Sequence, residues 1–400
     1  MTIPDSKDDT ASRHAPHHPP DYKPNIIHTA LIVSDKLAGI SPLGFTPVWL
    51  VLAAIACWPW DNLRWLAAVT SLAFTLADGI SLALLPQKGR SFGPVTPPLL
   101  ALAIVRTALI FGMGLLWTSL PGLALAAALN LAILVAAIYA TWVEPFRLRV
   151  TQAELRSPKL NGHTPLRLLH VSDVHVERIT AREENLLRLV EELAPDVIVL
   201  TGDYLTLSSI HNTVAQTEAR DLLARLCDAA GPRCPIYAIT GSPPVDHPGI
   251  VPSIFEDLPL TWLMDEVEEL HLNGHSLRLA GLRCTADRRR DVPRLRHLLN
   301  GDPAQAPFTL LLYHSPDLMP EAAELGIDLY LCGHTHGGQI RLPLFGAVFT
   351  SSEFGKRYEM GRYEENGTTL YVSCGLGMEG MGAPRARFLA PPEIVLWTLS

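Results

Sequence analysis

Cysteine is scarce in this chain. Six are spread over 400 residues, at Cys57, Cys227, Cys234, Cys284, Cys332 and Cys374, without metal-binding spacing. That pattern excludes a Cys-rich structural zinc site and a disulfide frame, and it fits thiols kept reduced in a cytosol. Charge is just as scarce over one long segment: between Phe45 and Val143 only Asp61, Arg64, Asp78, Lys88, Arg90 and Arg106 are charged. A segment that poor in charge belongs in lipid. Four apolar runs can be drawn through it, at residues 43–58, 65–85, 98–117 and 122–143. The first is marginal in length for crossing a hydrocarbon core. No basic segment leads into an apolar one at the start of the chain, so no cleaved signal is expected. There is also no internal repeat. Residues 1–150 carry 10 Lys and Arg against 8 Asp and Glu, leaving 22 against 32 for the remainder. A soluble part with that acidic balance is a poor clamp for nucleic acid.

What is present concentrates after residue 165. Short apolar runs read as buried strands at Leu166–Val171, 197–201, 308–313 and Leu329–Cys332. Chemistry-bearing residues follow each one: Asp173-Val174-His175, Gly202-Asp203, His314 and Gly333-His334-Thr335-His336. Side chains at strand ends converge on one crevice in open α/β sheets. Alternation along an extended chain points Asp173 and His175 the same way, and the same spacing relates His334 and His336. Carboxylates and imidazoles without thiolates suit manganese, iron or zinc, and the set is large enough for two ions. Asp203 has two oxygens with which to bridge them. Helical periodicity at residues 182–193 and 217–229 alternates with the strands, and Asn273-Gly274 and Asn366-Gly367 mark hairpins over residues 267–282 and 358–373.

At these residues the chain resembles the calcineurin-like metallophosphoesterase superfamily, over roughly residues 166–400. The membrane-associated bacterial branch is the most similar, on residues 336–343, Gly355-Lys356-Arg357-Tyr358 and the tail from Cys374 to Ile394. The resemblance implies an α/β (α+β) fold of four layers, with a double β-sheet sandwich flanked by helices. It implies two divalent ions, one on Asp173, His175 and His336, the other on His314 and His334, with Asp203 bridging, and an activated water that attacks phosphorus in line. Related membrane-associated enzymes include diphosphatases acting on UDP-2,3-diacylglucosamine, so a lipid-linked phosphoester is the substrate class implied. After the strand at residues 235–240 the family reads Gly-Asn-His-Asp, but here it reads Gly241-Ser242-Pro243-Pro244-Val245-Asp246-His247. Three outcomes are open. Ser242 or Asp246 completes the second site with His247 as the acid; the second site is weak; or the domain is a catalytically impaired binding or regulatory module.

The expected organisation is a polar disordered tail over residues 1–40, an all-α transmembrane bundle of about four helices over 41–146, a linker over 147–164 and the metallophosphoesterase domain over 165–400. Lys7, Arg13, Lys23 and Lys36 precede the first run, Lys88 and Arg90 lie between the second and third, and Arg147 and Arg149 follow the fourth. The positive-inside rule then places both termini and the catalytic domain in the cytoplasm, on a multi-pass protein of a bacterial inner membrane. Asp78 and Arg106 fall inside runs and are expected to pair or to serve function. His14, His17 and His18 sit in the tail. The basic run Arg283, Arg288, Arg289, Arg290, Arg294 and Arg296 reads as a solvated helix face or as a phosphate contact.

Overall fold

The computed structural model describes residues 34, 36–302, 305–380 and 385–400. The tail expected over residues 1–40, with His14, His17 and His18, lies outside the described residues except at its last positions. The four apolar runs become α1 (Thr46–Cys57), α2 (Arg64–Gln87), α3 (Thr96–Leu116) and α4 (Leu120–Ile138), the last continuing through a wide π turn and a tight 3-10 turn to Phe146. Proline stands in the first turn of α1, α3 and α4, where an N–H would have no helical partner anyway. Among the described residues, three stretches are long and apolar enough to cross a membrane: Thr46–Gln87, Thr96–Leu116 and Leu120–Phe146. The first of these is broken at Asp61, whose φ of 40° and ψ of −113° reverse the chain.

With 12 residues, α1 rises only about 18 Å, short of a hydrocarbon core of about 30 Å. The turns flanking it lengthen the segment. Thr96 Oγ1 at the start of α3 donates to Ile40 O at 2.5 Å, and Trp60 Nε1 donates to Ile110 O near its end at 3.0 Å. The chain from Ile40 to Trp60 therefore runs alongside most of α3 before turning back, and it begins at the end of the bundle where α2 finishes.

The bundle turns large apolar side chains outward and buries charged and polar groups among its apolar core, unlike a water-soluble bundle. Leu50, Val51, Trp65, Val69, Leu76, Ile104, Leu116, Leu131 and Val135 face outward, while Asp78, Arg106 and Asn130 are buried. Arg106 grips Asp78 with two hydrogen bonds, of 2.6 and 2.8 Å, and donates to Asn130 O at 2.7 Å.

The domain that follows contains β1 (Arg149–Leu155), β2 (Leu166–Val171), α5 (Ala181–Leu193), β3 (Val197–Leu200), α6 (Thr213–Ala230), β4 (Ile236–Ala238), α7 (Val251–Phe255), β5 (Thr261–Trp262), β6 (Glu266–Leu272) and β7 (His275–Gly281). Then come α8 (Arg288–Leu298), β8 (Phe308–Leu312), α9 (Met319–Glu324), β9 (Leu329–Cys332), β10 (Arg341–Leu342), β11 (Gly346–Ala347), β12 (Gly361–Glu365), β13 (Thr368–Val372) and β14 (Glu393–Leu399). They build two six-stranded sheets, ordered β1-β14-β2-β3-β4-β5 and β12-β13-β9-β8-β7-β6. Side chains of both sheets, among them Leu168, Val199, Leu279, Phe308, Leu310, Leu331 and Trp397, fill the layer between them. The outer face of the first sheet packs on α5 and α6, and that of the second on α8 and α9. Four layers result. A face buried on each side explains why β3, β8 and β9 read as unbroken apolar runs instead of alternating.

The bundle and the domain touch along one edge. Arg387 N donates to Ala140 O at 2.8 Å, Ala390 N to Glu144 Oε1 at 2.7 Å, and Phe92 N to Glu177 Oε2 at 3.3 Å. The Phe388 ring meets that of Tyr139 edge-on at 6.2 Å. This edge adjoins the site.

Candidate metal centre

β2, β3, β4, β8 and β9 all end at one crevice, and the residues just beyond them fill it. Two groups form there. The candidate ligand atoms of Asp173, His175 and His336 lie within 4.8 Å of one another, as do those of Asp203, His314 and His334. Asp203 Oδ2 joins the groups, 3.2 Å from His314 Nε2 and 3.7 Å from His175 Nε2. The backbone is bent hard to achieve this. Asp173, His175, Asp203, His334 and His336 have φ of 49°, 45°, 58°, 71° and 52°, a left-handed conformation costing non-glycine residues on the order of 1–3 kcal/mol each. Two glycines permit the close approach. A Cβ on Gly333 would stand 1.9 Å from Asp173 Oδ2, and one on Gly241 would stand 2.1 Å from Asp203 Oδ1.

The hydrogen bonds around the groups fix which nitrogens face inward. His314 Nδ1 lies 2.7 Å from Thr201 O, and His175 Nδ1 lies 2.9 Å from Leu205 O. A carbonyl only accepts, so Nδ1 carries the proton in both rings, and each presents Nε2 to the carboxylates. Carbonyl-oriented imidazoles of this kind are the usual outer support of metal-binding histidines. An unprotonated Nε2 facing a carboxylate oxygen at 3.2 Å needs a cation or a proton between them. The donor set thus fits divalent ions.

Electrostatics show the same tension. Burial disfavours charge on His314 and His175, yet neighbouring carboxylates hold the first up to about 10 and the second up to about 9. Asp203 supplies the pull on His314; Glu379, with Oε2 3.1 Å from His175 Nδ1, leads on His175. Burial opposes ionisation of Asp203 too, but the His314, His175 and His334 rings bring it down to about 2. His334 and His336 are pushed down, first by burial and then by the rings beside them.

A directed chain of hydrogen bonds supports Asp173. His170 Nε2 donates to Thr201 Oγ1 at 2.9 Å, Thr201 Oγ1 to Ser172 Oγ at 2.7 Å, and Ser172 Oγ to Asp173 Oδ2 at 2.6 Å.

The segment 241–247 sorts the three residues on which the sequence left alternatives open. Ser242 Oγ points into the second group, 3.2 Å from Asp203 Oδ2, 3.1 Å from His314 Nε2 and 3.3 Å from His334 Nδ1, while Ser242 N donates to Asp203 Oδ1 at 2.6 Å. Asp246 faces the other way and accepts from the backbone N–H groups of Asp203, Tyr204 and Gly241 at 2.7–2.9 Å. Burial and the Asp203 charge raise its carboxyl to about 7. His247 closes its own turn, with Nδ1 accepting from Gly249 N at 3.1 Å, and is in neither group.

Sequence reasoning missed two residues here. Arg387 is fully buried, donates to the carbonyls of Gly377, Ala390, Cys374 and Gly375, and reaches His336 Nδ1 at 3.4 Å. Glu379 touches His175. Neither stands in a strand-end motif, so only the tertiary fold reveals them. The basic run belongs elsewhere: Arg288 pairs with Glu321, Arg294 with Asp265 and Asp291, and Arg296 with Glu324.

Residues 166–338 match the family model described as calcineurin-like phosphoesterase. Among similar proteins, the uncharacterized metallophosphoesterase YkuE of Bacillus subtilis is 29% identical, over 65% of this chain and 88% of its own. The phosphodiesterase YaeI of Escherichia coli is 28% identical, over 60% and 85%. The UDP-2,3-diacylglucosamine pyrophosphatase LpxG of Chlamydia trachomatis is 27% identical, over 67% and 95%.

Proposed function

From a chain that carries a calcineurin-like phosphoesterase domain over residues 166–338 and is a phosphoester hydrolase, we propose a membrane-anchored, divalent-metal-dependent enzyme that cleaves a phosphodiester or pyrophosphate in an amphiphilic substrate. The observation that carries this reading is the pair of ligand groups joined through Asp203, seated beside a helical bundle with an apolar exterior. Asp173, His175 and His336 would hold one ion and His314 and His334 the other, with Asp203 shared and Ser242 Oγ directed at the second. Bound ions would acidify a water and neutralise charge on the phosphoryl oxygens. Manganese, iron and zinc all suit the donors.

The chain's own residues fix the geometry. Thr201 O and Leu205 O orient the imidazoles, and the Ser242 N–H holds Asp203 in place. Hydrolysis joins a water oxygen to phosphorus and breaks the bond to the leaving oxygen. Pro243 offers no proton where the family has histidine, and His247 is engaged in its own turn. A leaving phosphate needs little help, because its second pKa is about 6, whereas an alkoxide needs a donor. That asymmetry favours a pyrophosphate, as in a UDP-linked diacyl sugar, over a dialkyl phosphodiester. The domain and both ends of the bundle's chain would lie on the cytoplasmic face of a bacterial inner membrane.

The test is Asp203→Ala in detergent-purified protein. Divalent-dependent hydrolysis of bis(p-nitrophenyl) phosphate should vanish while the protein stays folded in the membrane; retained turnover overturns the assignment. Ser242 and Pro243 in place of the family's Asn-His pair also favour a second reading, a metal-binding regulatory module. A wild type that binds metal but is silent on every substrate, and that gains turnover with Ser242→Asn and Pro243→His together, would establish it.

A further inference from the structure

Between the bundle and the metal centre lies a cavity of about 250 Å³, walled by α2, α3 and α4 on one side and by Ile340 and Ala386 on the other. Its polar lining is already engaged. Asp78 is held by Arg106, Ser81 Oγ accepts from Trp142 Nε1 at 2.9 Å, and Thr141 Oγ1 donates to Ala137 O at 2.8 Å. What remains is the apolar surface of Leu82, Leu102, Val105 and Ile138, which gives a ligand nothing to recognise except hydrocarbon. Val105 and Ile138 are also exposed on the outside of the bundle, so the cavity meets the surface where acyl chains would be.

The far wall belongs to the catalytic apparatus. Ile340 follows the ligand candidate His336 by four residues, and Ala386 precedes Arg387, which reaches His336 Nδ1. The two wall segments are bridged to each other, with Phe388 N donating to Gln339 O at 2.8 Å and Arg341 N to Phe388 O at 2.9 Å. The geometry points to an acyl-chain subsite, in which the cavity takes a fatty chain of the substrate while the phosphoryl group lies on the metal centre. This rests on the phosphoesterase reading and narrows its substrate class to lipids. If each methylene fills about the 30 Å³ that a water does, the cavity holds on the order of eight chain carbons.

The experiment uses full-length protein in detergent and a series of p-nitrophenyl alkyl phosphodiesters with butyl, octyl, dodecyl and hexadecyl chains. In wild type, 1/KM should rise roughly fourfold per methylene from butyl to octyl and level off beyond. Ala101 and Ala137 also line the cavity, so Ala137→Phe, and independently Ala101→Phe, should flatten that rise and leave bis(p-nitrophenyl) phosphate turnover unchanged. Equal chain-length dependence in wild type and both variants, or none in wild type, overturns the subsite while the phosphoesterase reading stands.

Loss of turnover on every substrate would strike that reading instead, so a second arm does not depend on activity. A hexadecyl phosphodiester with a diazirine in its chain should label Ile340 or Ala386 in wild type and neither in the two variants. Labelling confined to outward residues such as Leu76, or equal labelling of Ile340 and Ala386 by a diazirine phosphatidylcholine, overturns the proposal in favour of bulk lipid.

Discussion

His170 and Ser172 belong to neither ligand group, yet the hydrogen-bond chain through them sets the direction of Asp173. Ser172→Ala would leave Asp173 Oδ2 without its shortest hydrogen bond, and loss of such an outer partner typically weakens metal binding about 10–100-fold. Calorimetric titration with manganese should show that drop; unchanged affinity would mean the chain of hydroxyls is idle. His170 also shapes acid stability. Burial lowers its pKa to about 3 from the ordinary 6.5, so its contribution is intact above 6.5 and lost as pH falls from there toward 3, at up to about 1.4 kcal/mol per pH unit. Urea unfolding at pH 7 and pH 5, with metal chelated, should show a smaller acid loss in His170→Gln than in wild type. The raised His314 and His175 act on metal uptake: these rings must shed protons to bind, so apparent affinity should climb with pH up to about 10 and binding should release protons. Titrations in buffers of differing ionisation enthalpy measure that release.

Elements divide into those whose local sequence dictates them and those that need neighbours. Asn273-Gly274 and Asn366-Gly367 have positive φ at both residues, as a two-residue hairpin turn demands, so β6–β7 and β12–β13 were readable from the sequence. α5 begins at Thr180 with a reciprocal cap to Glu183, and its apolar periodicity was equally plain. The site was legible through its strand ends, because the six ligand candidates come from motifs at fixed offsets. Ser242's aim, Arg387 and Glu379 were not, since each depends on a loop brought in from far along the chain. α1 was legible too, as the short first run at residues 43–58, and the Asp61 reversal falls in the gap that its charge and that of Arg64 leave before the second run. Inside the bundle the Asp78–Arg106 pair answers a question that composition left open. Removing one partner strands a buried charge, so Arg106→Leu should cost on the order of 3–5 kcal/mol, read as lost thermal stability in detergent. Adding Asp78→Leu should recover most of it; no recovery would show that Asn130 and the surrounding packing matter more than the pair.

At the scale of the whole molecule, β14 lies between β1 and β2, parallel to the first and antiparallel to the second. Its Trp397 is fully buried between the sheets. Deleting residues 393–400 should therefore unfold the phosphoesterase domain and expose it to protease, while α1 to α4 still fractionate with membranes; a protease-resistant remnant of native size would show that the sheet closes without its wedge. The same placement orders biogenesis. On the proposed membrane placement, the helices would leave the ribosome and reach a translocon before β14 has been synthesised. A nascent chain would then be committed to lipid while its hydrolase half is still open, and active phosphoesterase should be found only in the membrane fraction of cells; activity in the soluble fraction would overturn that order.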